Sequence, residues 1–341
     1  MHNAGVVGTA HCAGSVIKAM RTITLEEHIS TPEFFEATTK AWQGKPLGDL
    51  WTAQRSKLLD VEKDRLSEMD AAGIDMQVLS LSGVGMEILD PATATAVASD
   101  TNDKLAAAVK AHPDRFAAFA TLGLKEPKKA ALEFERCVRQ LGFKGALING
   151  TCDGLFLDDL RFSPIFETAQ ALDVPIYLHP APPPESVMEA YYGGLPGNLG
   201  FMLATAGWGW HVETGMHCLR LIVSGLFDRL PNLKIIIGHM GEALPYFIVR
   251  SDAFLAKSTK HLQRPVIEYF KNHFHITTSG CFSLPPFLCM LEIVGADRIL
   301  FSVDYPFSPN SIGRVFLDSL PVAPEQLAKI AHGNAEKLLK L

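Results

Sequence analysis

The sequence is short of cysteine, and its thiols do not gather. Cys12, Cys137, Cys152, Cys218, Cys281 and Cys289 are spread over 341 residues without one CxxC pair. That spacing argues against a dense disulfide framework, and it fits a reducing compartment, so a cytoplasmic location is expected. Positive charge is not in excess either. Thirty-one Lys and Arg stand against 37 Asp and Glu, a formal net charge of −6, with no long run of one sign. Nucleic-acid binding needs a basic surface, so no nucleic-acid partner is expected. No apolar stretch reaches the roughly 18–20 residues of a membrane-spanning helix, so no membrane partner is expected. A Pro/Ser-rich linker is also missing, which argues for one large domain rather than two.

Apolar residues make up 48 % of the chain, enough for a sizeable core. The first twenty residues, MHNAGVVGTAHCAGSVIKAM, carry two histidines and a late lysine. They lack the basic start and unbroken apolar stretch of a secretory signal. Residues 1–20 therefore read as a leader or N-terminal arm, and residues 21–341 as a single domain.

Short β-rich runs recur at 22–26, 76–81, 116–121, 145–149, 175–179, 234–238, 274–278 and 299–303. Most are continuous rather than alternating, as parallel strands covered on both faces should be. Between them lie helical patterns at 60–72, 91–111, 127–141, 163–172, 214–227, 242–256, 285–294 and 324–339. Pro91 and Pro127 sit where first-turn prolines are favoured. Eight strands alternating with helices predict an α/β fold, a (β/α)8 TIM barrel. A doubly wound open sheet is the second choice, because periodicity does not report closure. Two long connections, 29–59 after the first strand and 180–210 after the fifth, read as insertions. The second holds PAPPP at 180–184 and is expected to line an active site.

Chemistry in such a barrel sits at the C-terminal ends of the strands. The first strand ends in Glu26-Glu27-His28, the fifth in His179, the sixth in Gly238-His239 and the eighth in Asp304. Glu26 and His28 are two apart and share a side of the strand, with Glu27 turned away. A lone strand-end histidine is more often a hydrogen-bonded structural residue than a ligand. Four strands of eight ending in imidazole or carboxylate instead suggest a divalent metal. That would explain why the buried run RILFSVD ends on a carboxylate. His112 and His332 are expected at the surface.

The motifs LEEH at 25–28, PIYLHP at 175–180, GHMGEALPY at 238–246, HITTSG at 275–280 and RILFSVDYPF at 298–307 resemble the amidohydrolase superfamily. Within it they look like the aromatic-acid decarboxylase branch, which includes γ-resorcylate, 2,3-dihydroxybenzoate, salicylate and 5-carboxyvanillate decarboxylases. The segment at 211–231, HVETGMHCLRLIVSGLFDRLP, is similar to both the resorcylate and carboxyvanillate enzymes. The resemblance runs from about residue 21 to the end. It implies a homodimer or homotetramer, with Glu26, His28, His179 and Asp304 around one divalent ion, Zn or Mn, with Mg a further choice. No organic cofactor is implied. His239 and Glu242 match catalytic residues behind the metal, and Arg250 matches an arginine that reaches the substrate carboxylate, in some members across a subunit interface. Cys281 departs from the pattern, standing where the resorcylate and fungal members have Asn or His. SPNSIGR at 308–314 departs as well.

The implied reaction is non-oxidative decarboxylation of a hydroxylated aromatic acid. An aryl anion is too unstable to form directly. Protonating the carboxyl-bearing ring carbon first makes the ring the electron sink as CO2 leaves. Asp304 is the expected proton donor, with His239 and Glu242 supporting it. Trp210 and Phe307, along with Trp208 and Tyr305, are candidates to stack on the ring. The alternative enzyme on this scaffold is a metal-dependent hydrolase of a lactone or amide, and a binding protein without turnover ranks behind both.

Overall fold

Apolar runs form the staves of a barrel in a computed structural model that describes residues 20–42, 46–82 and 85–341. The stretch read as a leader or arm, Met20 apart, lies outside the described residues. Eight parallel strands are present among the described residues: β1 Ile23–Ile29, β2 Met76–Leu81, β3 Phe116–Ala118, β4 Ala146–Asn149, β5 Ile176–His179, β6 Ile235–Ile237, β7 Phe274–Thr277 and β8 Ile299–Leu300. Their ladders run β1-β2-β3 and β4-β5-β6-β7-β8. The first seam is crossed by the bridge between Ala120 and Ala146, with Leu147 N donating to Ala120 O at 3.0 Å. The second is crossed by His28 N donating to Tyr305 O at 2.7 Å and Glu26 N donating to Ser302 Oγ at 2.7 Å. The expected (β/α)8 barrel is the fold.

The core has the two layers that a barrel requires. Ile23, Leu25, Val78, Phe119, Leu147, Tyr177, Ile236 and Leu300 pack together as one group. Residues of alternate register, such as Leu79, Ile148, Leu178, Ile237 and Ile276, pack against the helices outside. In β1 the register with β2 slips between Thr24 and Glu27. That irregularity lets Leu25 join the interior group while its neighbour Glu26 also reaches the barrel mouth.

Three helical expectations are corrected. The helix expected at 214–227 starts earlier and runs Gly209–Val223, and the chain restarts as Leu226–Arg229 after Gly225 at φ 72°. Glycine suits that left-handed break. The last helix is interrupted by a wider turn at Lys329–Gly333, where Phe301 N takes the Ile330 carbonyl and Asn334 Nδ2 reaches across to Ala296 O and Ile299 O. Hydrogen bonds to β8 and the turn before it, one from the backbone and two from the Asn334 side chain, thus override an unbroken ladder. The helix expected at 242–256 begins only at Leu244. Each insertion carries two helices of its own, Pro32–Trp42 with Pro46–Leu59, and Glu185–Tyr192 with Leu199–Ala204.

One buried cation ties the first insertion to β1. Arg65, in the helix Lys63–Ala72, donates from Nη2 to His28 O at 2.6 Å, from Nη1 to Gln77 Oε1 at 3.1 Å and from Nε to Asp60 O at 2.9 Å. Its guanidinium lies 4.7 Å from the centre of the Tyr305 ring. Replacing it with an apolar side chain of similar length leaves those acceptors buried and unmatched. Arg65→Met is expected to cost roughly 3 kcal/mol of stability. The check is a lower urea midpoint at unchanged slope, and an unmoved midpoint would refute it.

Candidate metal centre

Strands β1, β5, β6 and the segment after β8 deliver their polar ends to one place. Ligand atoms of Glu26, His28 and His179 lie within 4.8 Å of one another, and so do those of Glu26, His239 and Asp304. His179 Nε2 is 3.1 Å from Glu26 Oε1, and His239 Nε2 is 3.5 Å from the same oxygen. His28 Nε2 lies 3.3 Å from Asp304 Oδ1. The side chains singled out from the strand ends are therefore brought together.

The donor set fits a cation. Tyr177 donates its hydroxyl hydrogen to Glu26 Oε2. Glu26 Oε1 is buried and has no hydrogen-bond partner among the described residues. His179 Nδ1 lies 2.8 Å from the Pro180 carbonyl, which can only accept, so Nδ1 carries the ring proton and Nε2 presents its lone pair. That lone pair faces the orphaned oxygen. Two acceptors held this close call for a positive charge between them, and two imidazoles with two carboxylates suit a borderline or hard divalent ion. Gly238 makes room for the arrangement, since a Cβ there would stand 2.7 Å from Glu26 Oε2.

Charges inside this pocket are strongly biased. Burial would raise the Glu26 carboxyl, but the imidazoles of His239, His179 and His28 hold it well below the usual carboxylate range. Burial pushes His28 down to about 4. Burial, with the Glu26 charge behind it, pushes Asp304 up to about 8. His239 goes the other way: burial opposes its charge, but Glu26, Glu242 and Asp304 outweigh it and lift the imidazole well above its ordinary value.

Glu27 does turn away from the metal pocket, as the strand alternation predicts. Its Oε1 accepts from Val303 N at 3.0 Å and its Oε2 from Tyr305 N at 3.2 Å, one on each side of Asp304. Gln77 Nε2 donates to Oε2 at 3.3 Å. Burial pushes this carboxyl up to about 8 despite its donors.

One residue of the site escaped the sequence reading. His211, in the first turn of the helix Gly209–Val223, places Nδ1 2.6 Å from Glu242 Oε2, while His239 Nδ1 lies 2.8 Å from Glu242 Oε1. Glu242 thus bridges two imidazoles. The signal was present, since His211 opens the quoted segment HVETG, but nothing local ties that helix to the end of β6. A cavity of about 560 Å³ opens beside His239, His211 and Glu242, with Trp208, Tyr246 and Cys281 among its walls.

The other expected residues divide. Phe307 meets His28 edge-on with ring centres 5.8 Å apart, at the site. Trp210 is half-buried, and its indole N–H donates to His211 Nε2 at 3.1 Å, so it serves the imidazole rather than standing free as a ring platform. Tyr305 is buried beneath Arg65 and unavailable to a substrate. Arg250 is not brought to the pocket within this chain. It is exposed on the helix Leu244–Leu255, whose core face presents Ile248, and its guanidinium lies 4.4 Å from the Phe254 ring centre. His112 and His332 stay outside the site but are half-buried rather than exposed, and His332 Nδ1 lies 3.0 Å from Glu336 Oε2.

Comparison with known proteins adds an independent line. The family model described as amidohydrolase matches residues 55–341. The γ-resorcylate decarboxylase of Polaromonas sp. strain JS666 is 39 % identical over 330 residues, covering 94 % of this chain and 98 % of that protein. A solved dihydroxybenzoic acid decarboxylase from the same source, with bound manganese and the inhibitor 2-nitroresorcinol, superposes with a TM-score of 0.85 at 39 % identity, covering 94 % and 97 %. The 5-carboxyvanillate decarboxylase of Sphingomonas paucimobilis superposes with a TM-score of 0.88 at 32 % identity, covering 95 % and 100 %.

The Glu27 clasp can be tested apart from turnover. In Glu27→Gln the amide replaces one acceptor with a donor, so the two N–H groups flanking Asp304 can no longer both be met. Metal affinity is expected to fall roughly 10- to 100-fold with the fold retained, the usual effect of losing a residue behind a ligand. Elemental analysis after dialysis against graded chelator measures it, and wild-type retention would count against the clasp.

Proposed function

We propose a reaction for this chain on one premise: it belongs to the amidohydrolase family. It is a divalent-metal-dependent carboxy-lyase that removes CO2, without oxidation, from a hydroxylated aromatic acid. Glu26, His28, His179 and Asp304 hold the ion, and manganese is its proposed identity, supported by the manganese bound in a related decarboxylase. When bound, the ion supplies a template and Lewis acid for the substrate's carboxylate and the phenolic oxygen beside it.

The chain's own residues supply the rest. Asp304 delivers a proton to the ring carbon that bears the carboxylate. The C–C bond to the carboxylate then breaks, its electron pair restores the aromatic ring and CO2 departs. One solvent proton is consumed per turnover and ends on the ring. The observation that carries this assignment is the place of Asp304: it lies 3.3 Å from His28 on one side and 3.9 Å from His239 on the other. It thus stands between the ligand set and a second proton-bearing group. His239, held by Glu242, returns the proton to Asp304 between turnovers. Phe307 packs against His28 and covers the ring from water.

The surface supports a homodimer or homotetramer. Trp208, Met216, Phe247 and Phe254 are exposed apolar side chains around a second cavity of about 500 Å³ that also includes Arg250. In that assembly Arg250 serves the substrate carboxylate of a neighbouring subunit. No helix among the described residues is long and apolar enough to cross a membrane, and the five described cysteines are free. Both are consistent with the cytoplasmic location proposed here.

Turnover is tested by incubating the purified protein with a panel of ortho-hydroxybenzoates and measuring CO2. Release is expected from at least one member, abolished by chelator and restored by Mn²⁺. Ring-opened or hydrolysed product without CO2 would overturn the assignment.

Asp304→Asn tests the acid. The amide keeps the shape but cannot protonate carbon, so kcat is expected to fall ~10²–10⁴-fold. Metal content of the variant separates loss of the acid from loss of a ligand. A metal-loaded variant that still moves solvent deuterium into the product ring at the wild-type rate would remove Asp304 from this role.

A further inference from the structure

Trp210 carries a constraint that reaches the mouth of the barrel through three hydrogen bonds. An indole N–H can only donate. Trp210 Nε1 donates to His211 Nε2 at 3.1 Å, so that nitrogen presents its lone pair and the neutral ring keeps its proton on Nδ1. His211 Nδ1–H then donates to Glu242 Oε2 at 2.6 Å. The other carboxylate oxygen, Oε1, accepts from His239 Nδ1–H at 2.8 Å. Glu242, as a carboxylate, only accepts, so it keeps His239 Nδ1–H turned to it while His211 holds the carboxylate in place. At the far end, His239 turns Nε2 toward Glu26 Oε1 at 3.5 Å and Asp304 Oδ2 at 3.9 Å.

The backbone needs this support. His239, Met240, Glu242 and Ala243 all have positive φ, with Gly241 among them. A left-handed stretch has no regular ladder to fix its side chains, so Glu242 is oriented by what its carboxylate touches. The helix Gly209–Val223 is pressed against it: a Cβ on Gly215 would stand 2.8 Å from Glu242 O, and the His211 and His239 ring centres are 4.7 Å apart. The Ala206 carbonyl, 3.2 Å from His211 Nε2, is the competing partner for that nitrogen. It is open to solvent and water can satisfy it, whereas the indole N–H is half-buried.

We propose that Trp210 and His211 are positioning residues that lock the orientation of the His239 ring through Glu242, with Nδ1–H held on the carboxylate, so that His239 Nε2 always faces the reacting centre. This rests on the reading that His239 serves the decarboxylation. It explains why an indole stands where sequence reasoning expected a platform for the substrate ring. The lock acts on where His239 points rather than on the groups that hold the substrate carboxylate, so its loss should appear chiefly in kcat rather than KM.

Four single variants of the full-length, manganese-loaded chain test it, each with its metal content measured. His211→Leu is expected to lower kcat ~10- to 100-fold with KM changed less than about twofold. His211→Asn, whose amide N–H can take the place of Nδ1–H, is expected to recover most of that loss. Trp210→Phe keeps the ring without the donor and should fall between them. Nitrogen NMR of histidine-labelled protein with a diamagnetic divalent ion reads the lock without turnover. His211 and His239 should both carry Nδ1–H in the wild type, and His211 should become a mixture in Trp210→Phe. A wild-type His239 bearing Nε2–H alone would overturn the proposal. So would His211→Asn as slow as His211→Leu with metal retained, which would mean that the imidazole itself is required. His239→Asn at full turnover would instead overturn the catalytic assignment of His239, with the spectra still deciding whether the lock exists.

Discussion

The carboxyl group of Glu27 is the clasp that the barrel mouth depends on. The ladder of β8 stops at Leu300, yet Phe301, Ser302, Val303 and Tyr305 beyond it are all buried. Backbone N–H groups in such a place need partners, since each unmet one costs about 1–3 kcal/mol. Side chains supply them: Thr278 Oγ1 accepts from Ser302 N, and Glu27 accepts from Val303 N and Tyr305 N. With both neighbours held, Asp304 keeps φ at 73° and can turn its side chain out of the wall and into the pocket. The middle glutamate of LEEH and the aspartate that ends RILFSVD therefore belong to one structure, and His28 N donating to Tyr305 O closes it.

Much of this was legible from local pattern. Eight apolar runs gave the barrel, and a spacing of two put Glu26 and His28 on one side with Glu27 on the other. What Glu27 does there was not legible, because its partners lie some 276 and 278 residues away. The same limit hid His211, whose partner Glu242 is 31 residues on and belongs to another element. Arg250 is a different case, because its role turns on a partner that one chain does not contain. A motif match gave it a substrate contact, but the helix that carries it turns its side chain to the surface of this chain. Trp210 and Tyr305 were read as ring platforms from their chemistry alone. Tyr305 is taken by Arg65, far back in the chain, and Trp210 by its own neighbour His211, whose place at the site only the fold reveals.

The pocket also shows how a fold tolerates buried charge. Glu26 is buried and ionised among three imidazoles, and one of its oxygens is left without a donor. In an apolar interior such an oxygen would be a serious defect. Here it points at a histidine nitrogen whose proton has been fixed on the far side by the Pro180 carbonyl. The site is thus built with facing acceptors that a cation can satisfy.

Two kinds of backbone meet at that charge. Glu26, His28 and His179 sit on strands, where ladder hydrogen bonds hold them against the pull of a cation. Asp304 and His239 sit on left-handed backbone, at φ 73° and 47°. Residues other than glycine in that region cost of order 1–3 kcal/mol each unless their surroundings determine them. The surroundings do so by side chain rather than by ladder: Glu27 for Asp304, and the Trp210–His211–Glu242 line for His239. The division follows the roles proposed for these groups. The three ligands with no proton to deliver are kept still by strands, and Asp304, proposed as ligand and acid together, is not on one. A proton-bearing side chain has to present one chosen atom to the reacting centre, and a left-handed turn can aim that atom where no strand would, provided that buried partners far along the chain hold it there.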